Sequence, residues 1–231
     1  SNTLFLNLKD TILISTKKMN SIEFDGEHVV AECGAALNVV MNKSLDKGLL
    51  GFEFLTGIPG TVGGALITNA GANGGEISDV LVSVFFIKNG KEIEVKKEEI
   101  EFKYRTSSIK RNEIITKAKF LLRKGDPDKA RIQIKEYLNH RNNTQPVRWP
   151  SAGSVFKNPL PNYAGLIIEN LGLKGLSVGD AQVSNIHSNY IINKNNASPE
   201  NILSLVNMVK DKVLKDTGIK LENEIRIIDE K

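Results

Sequence analysis

The stretch Thr56 to Glu76, TGIPGTVGGALITNAGANGGE, places seven glycines in twenty-one residues. Glycine reaches positive φ and leaves the main chain bare, so successive N–H groups can form a concave nest for an anion such as a pyrophosphate. One reading is therefore a backbone cradle for a phosphate-bearing cofactor, and the other is a glycine-rich surface loop. The stretch is not a P-loop, which needs Gly-Lys-Ser/Thr, and no G-x-G-x-x-G follows a strand. A dinucleotide held by another fold stays open.

Outward from this stretch, strands and helices mix without regular βαβ alternation, which predicts an α+β fold rather than a doubly wound sheet. Thr11 to Thr16 and His28 to Cys33 are rich in β-branched residues and read as strands, as do Val80 to Ile87, Glu92 to Val95, Ile114 to Leu122, Tyr190 to Asn193 and Leu221 to Ile228. Asn89-Gly90 between two of them is a strong hairpin signal. Ala35 to Lys47 has helical spacing and stops at Gly48, Tyr163 to Leu171 is a short helix ended by Gly172, and Ser198-Pro199-Glu200 opens a long helix that stops at Gly218. At Asp126-Pro127 a good N-cap precedes a proline suited to the first helical position, so the expected boundary lies near Lys124-Gly125. The two domains are then 1–124 and 125–231.

A chain of 231 residues can bury a core in each half. The 31 Lys and Arg against 27 Asp and Glu are dispersed, which argues against nucleic acid as a partner and suits an anionic small molecule. Cys33 is the single cysteine, so no internal disulfide forms, and it reads as a buried thiol in a reducing compartment. No apolar run reaches the ~18 residues a membrane helix needs, and no signal peptide is recognisable. The three histidines, His28, His140 and His187, are too scattered for a metal site. Ser1-Asn2-Thr3-Leu4 carries no initiator methionine, so the chain is expected to start inside a larger protein.

Three polar concentrations could carry chemistry. In PSAGSVFKNP, Pro150 to Pro159, no histidine is near enough to activate Ser154 as a nucleophile, so proton donation is the better role; a capped turn would look the same. Arg105, in YRTSS, suits a carboxylate or phosphate through bidentate bonds, although most arginines are merely solvated. In LENEIR, alternation would put Glu222, Glu224 and Arg226 on one strand face, as the exposed face of an edge strand also does.

Taken together, GIPGTVGGALITNAGANGGE, the Tyr-Arg-x-Ser of YRTS, PSAGSVFKNP, GDAQVSNIHSNYIIN and LENEIRII resemble, in order, the MurB family of UDP-N-acetylenolpyruvoylglucosamine reductases, from residue 1 to about 228. The resemblance implies an FAD-binding domain of the vanillyl-alcohol-oxidase type followed by a MurB C-terminal substrate domain. It implies FAD and NADPH as cofactors and UDP-N-acetylglucosamine enolpyruvate as substrate. It also implies a cytoplasmic, monomeric enzyme of peptidoglycan synthesis, without nucleic-acid or membrane partners. NADPH reduces the flavin, and hydride then passes from N5 to the enolpyruvyl methylene. Ser154 matches the residue that protonates the adjoining carbon, and Arg105 and Glu224 match the pair that stabilises the enol form. Ser1, Asn2, Gly57, Ile58, Pro59, Gly60, Thr61, Val62, Gly63, Gly64, Asn69, Ala70, Gly71 and Ala72 fall on the cofactor side. Tyr104, Lys157, Asn158, His187 and Asn189 fall on the substrate side. Asn223 stands where the family usually has proline, the loop between Arg105 and Ser154 is of the compact type, and the N-terminal subdomain that should complete the flavin site is expected to precede Ser1. A catalytically incompetent flavin- or nucleotide-sugar-binding fragment is the competing expectation.

Overall fold

The computed structural model describes residues 2–6, 8, 12–110 and 113–229. They form two compact units, residues 14–140 and residues 1–13 with 141–231. Among the described residues, no helix is long and apolar enough to cross a membrane.

The unit 14–140 is built on a five-stranded antiparallel sheet in the order Ile22–Asp25, His28–Glu32, Ile114–Leu121, Leu81–Lys88, Lys91–Lys96. Alternation puts Val29, Ala31, Val84, Phe86, Ala118 and Phe120 in the core, because successive side chains of a strand point to opposite faces. The last two strands by sequence-adjacent pairing, 81–88 and 91–96, join through Asn89-Gly90, both at positive φ as a tight hairpin turn demands. Helix α1, Leu37–Asp46, buries Leu37, Val40, Met41, Ser44 and Leu45, a stripe at helical spacing, and the Ser44 hydroxyl is satisfied by the Val40 carbonyl at 2.8 Å.

The glycine-rich stretch is not one loop. Thr61 caps a short helix α2, Val62–Thr68, its Oγ1 accepting the Gly64 N–H at 3.5 Å. Asn69 ends that helix at φ 43, and Gly71–Ala72 with Gly75–Glu76 make a minimal hairpin whose Asn73 and Gly74 are again at positive φ. Helix α3, Pro127–Thr144, starts where expected, with Asp126 Oδ1 accepting the Asp128 N–H at 3.0 Å.

In the other unit a four-stranded antiparallel sheet, Ser151–Ser154, Tyr190–Asn193, Ala181–Val183, Ser177–Val178, packs its apolar face on helices α4, Ala164–Asn170, and α5, Pro199–Thr217. Leu205, Val206, Val209 and Val213 are the buried stripe of α5. Its ends are set by a Ser198/Asn201 capping box and by Gly218 at φ 72. Thr3–Phe5 pairs in parallel with Arg226–Ile228.

Two expected strands differ. Residues 12–16 form no strand, Thr11 lying outside the described residues; Ile12, Leu13 and Ile14 are 88%, 63% and 84% exposed. β-branched residues favour strands by packing on a pleated surface, and these have none to pack on. The C-terminal strand is only Arg226–Ile228, because residues 222–224 instead bond the segment after Ser154: Lys157 N–H donates to Glu222 O at 2.9 Å and Glu224 N–H to Val155 O at 2.8 Å. Glu222, Glu224 and Arg226 therefore do not share a strand face.

Candidate active site

In the unit 14–140, the N–H groups of Gly60 and Thr61 have no partner among the described residues. A Cβ at Gly60 would meet only Leu37 Cδ1 at 3.7 Å, and one at Gly64 only Thr61 Oγ1 at 3.7 Å. Uncommitted donors beside bare α-carbons fit the phosphates of a dinucleotide. Gly57, at φ 77, and the exposed Pro59 lead into this turn, while Ile58 packs partly against the core.

Not every residue of the stretch faces outward. The Val62 side chain is fully buried and its N–H donates to Ala35 O at 3.0 Å. Gly63 donates to Cys33 O at 2.8 Å, and a Cβ there would lie 3.1 Å from Cys33 Cβ, so this glycine permits a close approach within the protein. Asn69, 0% exposed, is spent internally: Nδ2 donates to Glu76 Oε2 at 2.7 Å and Lys103 O at 3.2 Å, and Oδ1 accepts from Ser78 N at 3.4 Å. Ala70 is partly buried on the core, and Gly71 and Ala72 lie in the minimal hairpin.

Asn69 thereby braces the turn that carries Arg105. Phe102–Lys103 and Thr106–Ser107 pair around Tyr104-Arg105, and Arg105 sits at φ 58, an uncommon backbone conformation for a non-glycine residue. Its guanidinium lies 5.1 Å from the centre of the Tyr104 ring, and its Nη1 lies 3.3 Å from where a Gly71 Cβ would be. Ser107 Oγ, the last residue of Tyr-Arg-x-Ser, donates to Ile67 O of α2 at 3.1 Å and ties the hairpin to the glycine-rich stretch. Two clefts of this unit, both lined by Leu50, Glu53, Arg123 and Gln133 among others, contain none of the predicted site residues.

The other unit gathers most of the remaining candidates. Ser154 ends the strand 151–154, half-buried, directly after Gly153 at φ 83. The pairing of that strand with 190–193 shifts by one residue between Ser151 and Ser154, a β-bulge, and bulges re-aim the side chain that follows. Glu224 is joined to the same place through Val155, and Asn2 Nδ2 donates to the Glu224 carbonyl at 3.1 Å. Ser1 lies outside the described residues. Lys157 reaches Glu222 at 3.6 Å. Asn158 Oδ1 accepts the Ala164 N–H at 3.1 Å at the start of α4, and its Nδ2 has no partner among the described residues.

His187 packs edge-on to Tyr190, ring centres 5.0 Å apart, and its Nδ1 accepts the Asn189 N–H at 3.2 Å, which places the ring proton on Nε2. Burial pushes its pKa below the ordinary value, Lys174 adds to that, and Glu169 opposes it. Asn189 itself is buried, with its side-chain amide on the Phe156 backbone. Among the described residues no group of three or more His, Cys, Asp or Glu could hold a metal ion.

Sequence reading did not anticipate α2 or the inward commitment of Asn69. Thr61 before an apolar run is an N-cap signal, so α2 could have been read from the sequence, as could the small hairpin from Asn73-Gly74, whereas nothing local marks Asn69 as buried.

Comparison with known proteins identifies the family. Residues 1–95 match the family model described as FAD binding domain, and residues 145–228 the model described as UDP-N-acetylenolpyruvoylglucosamine reductase, C-terminal domain. Over 221 residues the chain is 43% identical to the UDP-N-acetylenolpyruvoylglucosamine reductase of Clostridium novyi (strain NT) and 45% identical to that of Clostridium kluyveri (strain NBRC 12016). The alignments cover 95% of this chain and 72% and 73% of those relatives. The crystal structure of the reductase MurB from Thermus caldophilus superposes with TM-score 0.82 at 33% identity, over 92% of this chain and 76% of that one.

Proposed function

Because the chain belongs to the UDP-N-acetylenolpyruvoylglucosamine reductase family, we propose that it is the FAD- and NADPH-dependent enzyme that reduces UDP-N-acetylglucosamine enolpyruvate to UDP-N-acetylmuramate, with Ser154, Glu224 and Arg105 as its catalytic residues. The observation that carries the assignment of roles is the joining of Ser154 and Glu224 through one residue, Val155, whose carbonyl takes the Glu224 N–H. When bound, the flavin, reduced by NADPH, supplies hydride from N5 to the methylene carbon of the enolpyruvyl group. The π electrons of the double bond then move onto the carbon beside the carboxylate. Ser154 Oγ–H delivers the proton to that carbon; an alcohol is a weak acid, but an enolate is a strong enough base for a positioned hydroxyl to suffice. Glu224 stabilises the enol form together with Arg105, which balances the charge that grows on the substrate carboxylate, an effect of preorganised electrostatics worth about 3 kcal/mol.

The main-chain N–H groups of Gly60 and Thr61 hold the cofactor phosphates, and the turn from Gly57 through Ile58 and Pro59, with the bare Gly64, allows their close approach. Tyr104 lies beside Arg105, and Lys157 and the Nδ2 group of Asn158 serve the nucleotide-sugar, with His187 bordering that segment. We divide the cofactor and substrate domains by sequence at residues 124 and 125, between the two matched spans, while helix α3 packs through Ala130 in the unit 14–140. The enzyme works as a cytoplasmic monomer, and its product feeds peptidoglycan synthesis, hence cell-wall biogenesis, cell shape and division.

Visible absorption of the purified protein tests this function. A flavin band that NADPH bleaches and the enolpyruvyl substrate restores is the expected result. A protein that binds the UDP-sugar but shows no flavin band refutes it.

A further inference from the structure

The backbone pairing that positions Ser154 ends abruptly. The strand 190–193 pairs with Ser154 through Tyr190, then turns away, the Tyr190 N–H closing on the His187 carbonyl at 3.0 Å. Val155 and Phe156 would be left without a strand partner on that side. Asn189 replaces it. Its main-chain oxygen accepts the Val155 N–H at 2.8 Å, its Oδ1 accepts the Phe156 N–H at 3.0 Å, and its Nδ2 donates to the Phe156 carbonyl at 2.8 Å.

A primary amide offers one acceptor and a donor in one plane, the same pattern as a peptide group, so this side chain continues the ladder as a single surrogate residue. It is only 4% exposed, which leaves little of it to meet a ligand. The far side of the same two residues is also committed: Val155 O takes the Glu224 N–H at 2.8 Å, and Phe156, 2% exposed, bridges to Asn223. Ser154 is thus fixed on one side by the bulge at Gly153 and on the other by the Asn189 amide, and Glu224 hangs from the residue between them.

We infer that Asn189 is a positioning residue rather than a substrate contact: its amide holds the Val155–Phe156 backbone so that Ser154 and Glu224 keep their mutual placement. The inference rests on the proton-donor reading of Ser154. Displacement of a reacting group by about 1 Å costs on the order of a hundredfold in rate. A serine loosened by loss of the clamp would therefore fail in protonation while leaving the earlier hydride step between NADPH and flavin untouched.

The test is a double-mutant cycle on the flavin-loaded enzyme, with the two half-reactions followed separately by stopped-flow absorbance. Asn189→Ala is expected to slow reoxidation by the enolpyruvyl substrate by on the order of a hundredfold, with reduction by NADPH changed by less than about threefold. Asn189→Asp keeps the acceptor for the Phe156 N–H but turns a second oxygen on the Phe156 carbonyl, and it is expected to slow the same step; it carries the test if the alanine variant does not fold. Groups that act as a unit are non-additive, so Asn189→Ala combined with Ser154→Ala should be no slower than Ser154→Ala alone. Additive losses, or equal loss in both half-reactions, would overturn the positioning role. If Ser154→Ala by itself leaves reoxidation unchanged, the failure lies in the Ser154 reading instead.

Discussion

Replacing Asn69 with alanine probes how the fold braces its arginine. The Asn69 amide is 0% exposed and ties together two segments, through Glu76 at 2.7 Å and Ser78 at 3.4 Å in one and Lys103 at 3.2 Å in the other. A hydrogen bond to a charged partner contributes about 1.5–3 kcal/mol and a neutral one about 1 kcal/mol, while the 3.4 Å contact adds little. Alanine also pays for the left-handed backbone at φ 43, about 1 kcal/mol more than asparagine. These effects share atoms and do not sum fully, which puts the expected loss at about 3 kcal/mol. For a chain of this size that is a fall in melting temperature of about 6–12 °C, read by thermal unfolding followed by circular dichroism. Asn69→Asp, which would set a second carboxylate against Glu76, should lose at least as much. A shift of less than about 2 °C for the alanine variant would refute the internal role and return Asn69 to the ligand-facing surface.

Other expectations concern glycine and histidine. At Gly63 an added methyl meets Cys33 Cβ at 3.1 Å and Cys33 O at 3.2 Å, so Gly63→Ala should destabilise by about 1–3 kcal/mol. Gly64→Ala meets only Thr61 Oγ1 at 3.7 Å, so it should hold or raise the melting temperature, yet weaken flavin binding in a fluorescence titration; unchanged flavin affinity would contradict the cradle. Burial depresses the His187 pKa, so the unfolded chain binds its proton more readily than the folded one. Its contribution to stability is complete above the ordinary value of 6.5 and is lost as pH falls through 6.5 toward the lowered folded value. Protonation would also remove the Nδ1 acceptor used by the Asn189 N–H, with Lys174 and Glu169, themselves paired at 2.7 Å, as the charged groups nearby. Urea unfolding from pH 8 to pH 5 should therefore show a decline that His187→Gln flattens, and equal slopes for the two proteins would refute it.

Local signals carried much of this fold. The Asn89-Gly90 turn, the Ser198 cap and the Gly218 stop are decided within a few residues, and the stripe of α1 follows from helical spacing alone. What could not be read locally depends on partners far along the chain. The apolar run at residues 12–16 looks like a strand, but strand formation needs a surface to pack on, and Ile12 to Ile14 have none. The end of the chain alternates like a strand, but residues 222–224 bond across to 155–157. The candidate site divides in the same way. Ser154, Glu224 and Arg105 were legible as residue types in a motif, whereas Asn69 and Asn189 look from sequence like ligand contacts. Only their burial and bonding show that each amide is turned inward, at Asn69 to brace the Lys103 turn and at Asn189 to continue a backbone ladder. Family membership supplied the chemistry, since a serine in a proline-bounded turn has no legible role by itself.

Rates of the two half-reactions of Ser154→Ala, measured on the flavin-loaded enzyme, test the central claim most directly. Reduction by NADPH should proceed at the wild-type rate, and reoxidation by UDP-N-acetylglucosamine enolpyruvate should slow by on the order of a thousandfold or more, the range expected when a positioned proton donor is removed. Equal loss in both half-reactions, or wild-type reoxidation, would contradict proton delivery by Ser154.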